Sequence, residues 1–140
     1  MQEANAGGSA ESQITEISLG IDVPRLADGI RFYSEAFGFE LRAEPVPGVA
    51  VMRAGPLTLC LLEKSAGTRP SPFGLGLRHY ERHWTPVHLD IHVANLQAAI
   101  ARALEAGARK EQVFENAEHG SAAFMSDPFG NGFCLLESRS

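Results

Sequence analysis

The tetrapeptide Cys-Leu-Leu-Glu occurs twice in this chain, at 60–63 and at 134–137. A longer repeat accompanies it, because a shift of 70 residues aligns Leu19 with Leu89, Ile21 with Ile91, Val23 with Val93, Leu26 with Leu96 and Ile30 with Ile100. The tetrapeptides are further apart than this shift, and part of the extra length lies in the turn "SDPFGNG", which is longer than its counterpart "AGP". Self-similarity at a fixed spacing, with the differences in turns, indicates a duplicated unit.

Each repeat has the same predicted order of elements. Apolar and polar residues alternate over 17–23 and over 88–93, which predicts two half-buried strands. A helix follows each strand, over "PRLADGIRFYSEAF" and "NLQAAIARALEA", with Asn95 as an N-cap and with Gly38 and Gly107 just past the helix ends. Three short strands follow in each half: "FELRAE", "VAVMRA" and "LTLCLLE", then "RKEQVF", "SAAFMS" and "GFCLLE". The sequence therefore predicts an α+β fold built from two tandem βαβββ modules.

The 140 residues fit one domain. We predict a disordered tail over 1–13, because "MQEANAGGSAESQ" is polar and small. The remaining 14–140 form a single domain, with module one at 14–63, a linker rich in Gly, Pro, Arg and His at 64–86, and module two at 87–139.

Composition excludes several classes of partner. The formal net charge is −5, so neither a nucleic-acid backbone nor an anionic membrane is expected to attract the protein. No apolar run approaches the ~20 residues that cross a bilayer. The N-terminus lacks the basic start and apolar core of a signal peptide, and two cysteines make no disulfide framework. A reducing, cytoplasmic location is the expectation.

Three stretches resemble the vicinal oxygen chelate superfamily: "ISLGIDVPRLADGIRFYSEAFGF", "VHLDIHVANLQAAIARALEAGA" and "FMSDPFGNGFCLLE". This superfamily includes glyoxalase I, extradiol dioxygenases, and fosfomycin- and bleomycin-resistance proteins. The resemblance runs from about residue 14 to the C-terminus. It implies that the modules form a curled mixed sheet with an open cup that holds the ligand, and that two chains pair as a homodimer.

The resemblance also implies where a metal would bind. In metal-using members the ligands are usually His, Glu or Gln, at the start of each first strand and in each last strand, and these positions hold Ser18, Cys60, His88 and Cys134. Only His88 matches the pattern, and serine is a poor ligand for a borderline cation. We therefore expect no metal or other cofactor. The alternative is a divalent ion (Zn, Fe, Ni or Mn), for which His88, Cys60 and Cys134 with a water would be the ligands.

Strand alternation predicts the residues that bind the ligand. If the helices cover the Leu/Ile/Val side of each first strand, the polar side faces the cup. With the matching positions of the last strands and the lone tryptophan of the linker, the predicted ligand-binding set is Ser18, Asp22, Thr58, Cys60, Leu62, Trp84, His88, Asp90, His92, Cys134 and Leu136. His88 is the candidate catalytic residue, because histidine suits acid–base chemistry near neutral pH.

The linker stretch "FGLGLRHYERHWTP" is the candidate lid or rim of the cup, since long connections tend to carry binding residues. Packing of Tyr80 and Trp84 against the other module or a second subunit is the alternative. The turn "DPFGN" is interpreted as hairpin geometry, with Pro128 and Gly130 setting the backbone.

Three functions remain open. The first is a binding module that sequesters a small organic molecule without a metal, as the bleomycin-resistance type does. The second is a glyoxalase-type lyase or isomerase, or a dioxygenase, that uses a divalent metal or acid–base chemistry at His88. The third is a dimeric interaction scaffold. Metal content and ligand titration would separate them, because fold alone does not settle function.

Overall fold

Both modules consist of one helix packed on a four-stranded sheet. The computed structural model describes residues 13–116 and 118–138. Module one contains β1 (Ser18–Val23), α1 (Leu26–Phe37), β2 (Glu40–Ala43), β3 (Val49–Ala54) and β4 (Leu57–Glu63). Module two contains β5 (Leu89–His92), α2 (Leu96–Ala106), β6 (Arg109–Asn116), β7 (Gly120–Ser126) and β8 (Gly132–Glu137). The tail predicted over 1–13 lies outside the described residues up to position 12.

The α+β class and the βαβββ order are confirmed. The strand orders are β1-β4-β3-β2 and β5-β8-β7-β6, so each opening strand is an edge strand that pairs in parallel with the last strand of its own module. The remaining pairs are antiparallel. The strands form two mixed sheets that do not close into a barrel, instead of one continuous curled sheet. Neither α1 nor α2 is long and apolar enough to cross a membrane.

One face of each sheet is buried under its helix. On this side Leu59, Leu61 and Leu135 have no exposed surface. On the opposite side, which we call the open face, Cys60, Leu62, Cys134 and Leu136 are half-buried. Alternation with period two therefore separates the core from the open faces in both modules.

The repeated tetrapeptide has the same structural role in both modules. Leu61 and Leu135 fill the core. Glu63 Oε2 accepts a hydrogen bond from the backbone N–H of Leu26 at 2.9 Å, and the carboxylate of Glu137 accepts one from the N–H of Leu96. A carboxylate at the first turn satisfies an unpaired N–H and opposes the helix dipole. The duplicated motif thus places the last strand beneath the helix and fixes where the helix begins.

The predicted helix ends are also found. Asn95 caps α2, since its side chain accepts a hydrogen bond from the Ala98 N–H at 2.9 Å. Gly38 and Gly107 follow the two helices with φ values of 72° and 116°. Such left-handed conformations favour glycine, which has no Cβ to clash.

The helices and aromatic side chains join the modules. Between the modules, α1 packs against α2. Phe37 of α1 meets Phe133 of β8 at 5.2 Å between ring centroids, and Phe32 meets Phe129 at 6.3 Å. Burying such a side chain stabilises the fold by about 1.5–3 kcal/mol. The two halves therefore share one hydrophobic core.

The linker is attached to both modules. Arg78 Nε lies 2.8 Å from Asp22 Oδ2 in β1, and the Arg82 guanidinium binds both carboxylate oxygens of Glu111 in β6, at 2.6 and 3.1 Å. The hydrogen bond with Arg82 lowers the pKa of Glu111. The turn before β8 contacts the linker closely, because a Cβ on Gly130 would collide with the carbonyl oxygen of Glu81.

Candidate functional site

A cavity of about 500 Å³, the first cavity, lies between the modules and the linker. It meets the edge of β1, the start of module two and the turn before β8. Its walls are mostly apolar, with several polar groups: Leu19, Gly20, Ile21, Asp22, Tyr33, Leu77, Arg78, His79, Tyr80, His83, Thr85, Val87, His88, Leu89, Asp127, Asn131, Gly132 and Phe133. Concave, mainly apolar sites of roughly 300–1,000 Å³ with a few polar groups are typical of small-molecule binding.

The linker forms one wall of this cavity. The salt bridge between Arg78 and Asp22 holds the wall against β1, and the Tyr80 hydroxyl donates to the Lys64 carbonyl at 2.6 Å. Part of the linker stretch predicted as a lid or rim therefore does line the cavity. Phe73 and Trp84 do not line it, and they are 92% and 81% exposed.

A buried tyrosine–aspartate pair lines the cavity between the two modules. The Tyr33 hydroxyl of α1 donates to Asp127 Oδ2 at 2.5 Å. The carboxylate also accepts hydrogen bonds from the Phe129 N–H, the Asn131 N–H and the Asn131 side-chain amide. Burial, followed by the charge and hydrogen bond of Asp127, raises the pKa of Tyr33 well above its ordinary value. The pair therefore contains a neutral phenol and a carboxylate with four hydrogen-bond donors.

Three histidines line the first cavity: His79, His83 and His88. His83 Nδ1 lies 2.8 Å from the Glu81 carbonyl oxygen, which can only accept a hydrogen bond. The proton of a neutral His83 ring is therefore on Nδ1, and its Nε2 carries a lone pair. This nitrogen can accept a hydrogen bond from a ligand.

The side chains close enough to share a metal ion belong to module two. Ligand atoms of His88, Asp90 and Cys134 all lie within 4.8 Å of one another. Strand register brings two of these side chains together, because Asp90 of β5 lies beside Cys134 of β8. His88 Nε2 is 3.0 Å from Asp90 Oδ1. Burial, followed by the charge of Asp90 and a hydrogen bond to it, raises the pKa of the Cys134 thiol.

This group does not reproduce the metal site implied by the resemblance. Ser18 is in the sheet of module one, where Cys60 also lies, and His88 and Cys134 belong to module two. Within 13–116 and 118–138, no group of three potential His, Cys, Asp or Glu ligands includes Cys60. Nitrogen, oxygen and thiolate donors suit Zn²⁺ better than Mn²⁺, but a thiol must lose its proton to bind, which the raised pKa opposes.

The structure distributes the predicted ligand-binding residues over three places. Asp22 and His88 line the first cavity. The open face of sheet one carries Ser18, Thr58, Cys60 and Leu62, and the open face of sheet two carries Asp90, His92, Cys134 and Leu136. Trp84 projects from the linker into solvent. The cavity is thus built mainly from other residues.

The sequence did not predict the buried Tyr33–Asp127 pair or the apolar walls of the first cavity. Leu19 and Ile21 were assigned to the helix-facing side of β1, yet both line the cavity at the strand edge. Asp127 was interpreted only as part of a turn. Its position in "DPFGN" was the available signal, but its partner Tyr33 is 94 residues away in the sequence.

Comparison with known proteins agrees with this architecture. A family model described as a glyoxalase-like domain matches residues 18–136. A hypothetical protein, SA1046 from S. aureus, has a TM-score of 0.68 at 18% identity, covering 90% of this chain and 99% of that one. Lactoylglutathione lyase from Agrobacterium tumefaciens has a TM-score of 0.61 at 14% identity, covering 91% and 95%.

The fosfomycin resistance protein FosX from Listeria monocytogenes is a third structural relative. A mutant of it, complexed with Mn(II) and 1S,2S-dihydroxypropylphosphonic acid, has a TM-score of 0.67 at 15% identity, covering 89% of this chain and 90% of that one. No curated protein sequence matches the chain. Since the family model spans nearly all of both modules, this chain belongs to the family of glyoxalase-like domains.

Proposed function

We propose that this protein binds a small, largely apolar organic molecule in the first cavity, without a metal ion. The observation that carries the proposal is the cavity of about 500 Å³, which both modules and the linker line. Leu19, Leu77 and Phe133 provide apolar surface, and burial of a ligand against them supplies the main favourable term.

The polar groups of the cavity favour a ligand that donates hydrogen bonds. His83 offers the lone pair on Nε2. The Asp22 carboxylate lines the same cavity, although one of its oxygens already accepts from Arg78. A few polar groups in an apolar site fix the orientation of a ligand more than they add affinity. The proposed ligand therefore has an apolar body and at least one N–H or O–H group.

The state of Cys134 supports binding without a metal. Its thiol pKa is raised, and Asp90, the third member of the group, is engaged by both His88 and Cys134. The three side chains satisfy one another through hydrogen bonds, so none needs an ion as a partner.

Ligand titration of metal-free protein tests the binding proposal. Small aromatic and polycyclic compounds with N–H or O–H groups are titrated after dialysis against a chelator, and binding is followed by calorimetry. Leu77→Glu places a charge in the cavity wall and is expected to weaken binding by about 10-fold or more. Val46→Glu is the matched control, because Val46 is 54% exposed, close to the 56% of Leu77, and lies outside the cavity.

Two results would overturn the proposal. One is that no compound binds the metal-free protein. The other is stoichiometric Zn, Fe, Ni or Mn in the purified protein that disappears in His88→Ala, together with binding that requires that ion.

The paired His88 and Asp90 favour a second candidate function, acid–base catalysis on the bound molecule. The contact at 3.0 Å fixes one ring nitrogen of His88, which also lines the cavity. A carboxylate that orients an imidazole is a common arrangement for a general acid or base. Product formation that His88→Ala abolishes while ligand affinity is retained would favour this function.

The proposed working unit is a cytoplasmic homodimer. Both cysteines are free thiols, which suits a reducing compartment. Phe73, Leu75 and Trp84 are 92%, 102% and 81% exposed, and soluble monomers rarely present so many large apolar side chains on one segment. A dimer that binds no compound would instead support the interaction scaffold.

A further inference from the structure

We propose that His83 makes the first cavity specific for molecules that donate a hydrogen bond, and that Arg82 and Glu111 are positioning residues for it. Arg82 and Glu111 are not among the residues that line the cavity. These roles rest on the proposed function, because they concern ligands of the first cavity. They deepen it by naming the residue that selects among ligands and the two side chains that hold this residue.

Within the described chain, every polar atom of His83 except Nε2 has a hydrogen-bond partner. Its backbone N–H donates to the Gly130 carbonyl at 3.1 Å, and its carbonyl oxygen accepts from the Arg82 guanidinium. Its ring Nδ1 lies 2.8 Å from the Glu81 carbonyl oxygen, so a neutral ring carries its proton there. Because His83 lines the first cavity, Nε2 is the acceptor that it offers to a ligand.

The Arg82 guanidinium joins His83 to the sheet of module two. It binds both carboxylate oxygens of Glu111 in β6, through Nε at 2.6 Å and through Nη2 at 3.1 Å. Its Nη1 donates to the His83 carbonyl and lies 3.5 Å from the Gly130 carbonyl oxygen. Two hydrogen bonds to one carboxylate fix the plane of a guanidinium, and its third nitrogen is fixed with it. The backbone of His83 is therefore held by a side chain that is anchored to a strand.

The first residue of β8, Gly132, leaves space for this guanidinium. A Cβ at this position would lie 2.7 Å from Arg82 Nη2 and 3.1 Å from Arg82 Cζ. Glycine allows another group to approach the backbone this closely, whereas a side chain at position 132 would displace the guanidinium. The ion pair of Arg82 with Glu111 thus occupies a place that the backbone keeps open.

The turn before β8 holds the carbonyl group that sets the tautomer of His83. The Glu81 carbonyl packs directly against Gly130, where a Cβ would collide with it. Asp127 stabilises this turn, since its Oδ1 accepts from the backbone N–H groups at positions 129 and 131, at 2.8 and 2.9 Å. A carbonyl group held in this way binds the proton on Nδ1 before any ligand arrives, so the lone pair stays on Nε2.

An acceptor with a fixed tautomer distinguishes ligands by their hydrogen-bond donors. A ligand N–H or O–H gains a hydrogen bond at Nε2, whereas a methyl ether leaves the lone pair without a partner. A site built to hydrogen-bond a ligand group rejects the analogue that lacks this group more strongly than an apolar wall does. If the proton moved to Nε2, this nitrogen would donate, and the preference would be lost. The positioning residues therefore preserve the selectivity of His83 by preserving its tautomer.

NMR of the histidine side chains in the metal-free full chain tests the positioning without a ligand. At about pH 8 the rings are neutral, and wild-type His83 is expected to carry its proton on Nδ1. Glu111→Gln removes one acceptor oxygen and Arg82→Lys removes the planar fork, so each should give a mixture of the two tautomers. Glu115→Gln is the matched control, since Glu115 is an exposed carboxylate on the same strand, and it should leave the tautomer unchanged. An unchanged His83 ring in both test variants would overturn the positioning role.

Calorimetry with matched pairs of compounds tests the specificity. Each aromatic O–H compound is compared with its methyl ether, beginning with naphthol and methoxynaphthalene. The wild type is expected to bind the O–H compound about 5–10-fold more tightly, the ratio that one hydrogen bond gives. Glu111→Gln should lower this ratio to about 2-fold and leave the affinity for the ether unchanged, whereas a general loss of structure would weaken both compounds equally. His83→Phe keeps an aromatic ring but has no acceptor, so it should abolish the preference.

The results separate these roles from the proposed function. Equal wild-type affinities for the two members of each pair that binds would overturn the specificity at His83 and leave the binding function standing. A preference that persists in His83→Phe would overturn it as well. If no compound binds, the proposed function fails and the specificity fails with it, whereas the ring measurement still decides whether Arg82 and Glu111 hold His83.

Discussion

The two modules repeat one architecture but differ at the edges of their opening strands. In module one the linker crosses beside β1, and Arg78 binds Asp22 there. In module two the edge of β5 lines a cavity of about 710 Å³, and Asp90 joins His88 and Cys134 on its open face. The buried leucines and the glutamates that cap the helices remain the same in both. The two modules therefore share the residues that join the last strand to the helix and differ in what lies beside the opening strand.

The largest expected difference in stability between the modules concerns the glycine turns before their last strands. Gly130→Ala in module two adds a Cβ that collides with the Glu81 carbonyl, at a φ of 91°. We expect a loss of about 3 kcal/mol or more in unfolding free energy, measured by urea denaturation. Gly55→Ala is the counterpart in module one; its φ is 64° and its Cβ meets no atom within 4 Å. It should cost only about 1–2 kcal/mol, and equal losses would contradict tight packing of the linker on the module-two turn.

The buried hydrogen bond between Tyr33 and Asp127 gives the next largest expected change in unfolding free energy. Tyr33→Phe removes one of four donors to the Asp127 carboxylate. The expected loss is about 1–3 kcal/mol, because the buried carboxylate loses one charge-assisted hydrogen bond while the other three donors remain. Tyr80→Phe removes a similar hydroxyl from the more exposed Lys64 carbonyl and should cost less than about 1 kcal/mol in the same denaturation experiment. A reversed order would show that the pair does not join the modules.

Alkaline pH should weaken the same contact. The folded-state pKa of Tyr33 is raised, so the unfolded chain loses this proton first, near the ordinary tyrosine pKa of about 10. Above that pH the unfolded state holds fewer protons than the folded state, and stability falls as pH rises, by at most about 1.4 kcal/mol per pH unit for one proton. Denaturation between pH 9 and 11 (roughly the tyrosine range) should show a steeper decline for the wild type than for Tyr33→Phe. Equal slopes would contradict the raised pKa.

The smallest effects concern the shared helix caps. Glu137→Ala, which removes a part-buried acceptor from the α2 N-terminus, should cost about 1–2 kcal/mol. Glu63→Ala, at the exposed α1 N-terminus, should cost about 0.3–1 kcal/mol. Thermal unfolding can compare both with Glu40→Ala on the surface of β2. If both substitutions behave like Glu40→Ala, the glutamate of the repeated tetrapeptide does not stabilise the helix N-termini.

The sequence predicted the periodic parts of this molecule well. The repeat, the order of elements, the cap at Asn95 and the glycine ends of both helices follow from local chemistry, and they appear in the structure within one or two residues. These features depend on residues that are close in the sequence, so the sequence pattern predicts them.

The candidate site was less accessible to sequence reasoning. The linker has no periodic pattern, so its position against β1 and the β8 turn depends on contacts such as Arg82 with Glu111, 29 residues apart. The alternation identified polar positions such as Asp22 and His88, but it did not identify the strand edges that border the cavities. Those edges become visible only when the sheets and the linker are placed together.

The double attachment of the linker limits how the halves of the protein can move. Arg78 is tied to one module and Arg82 to the other. Four residues of extended chain reach about 14 Å at most, which limits the distance between the Cα atoms of Arg78 and Arg82. The halves cannot swing widely apart while both ion pairs persist, so we expect a guest molecule to enter the first cavity without a large movement of the modules.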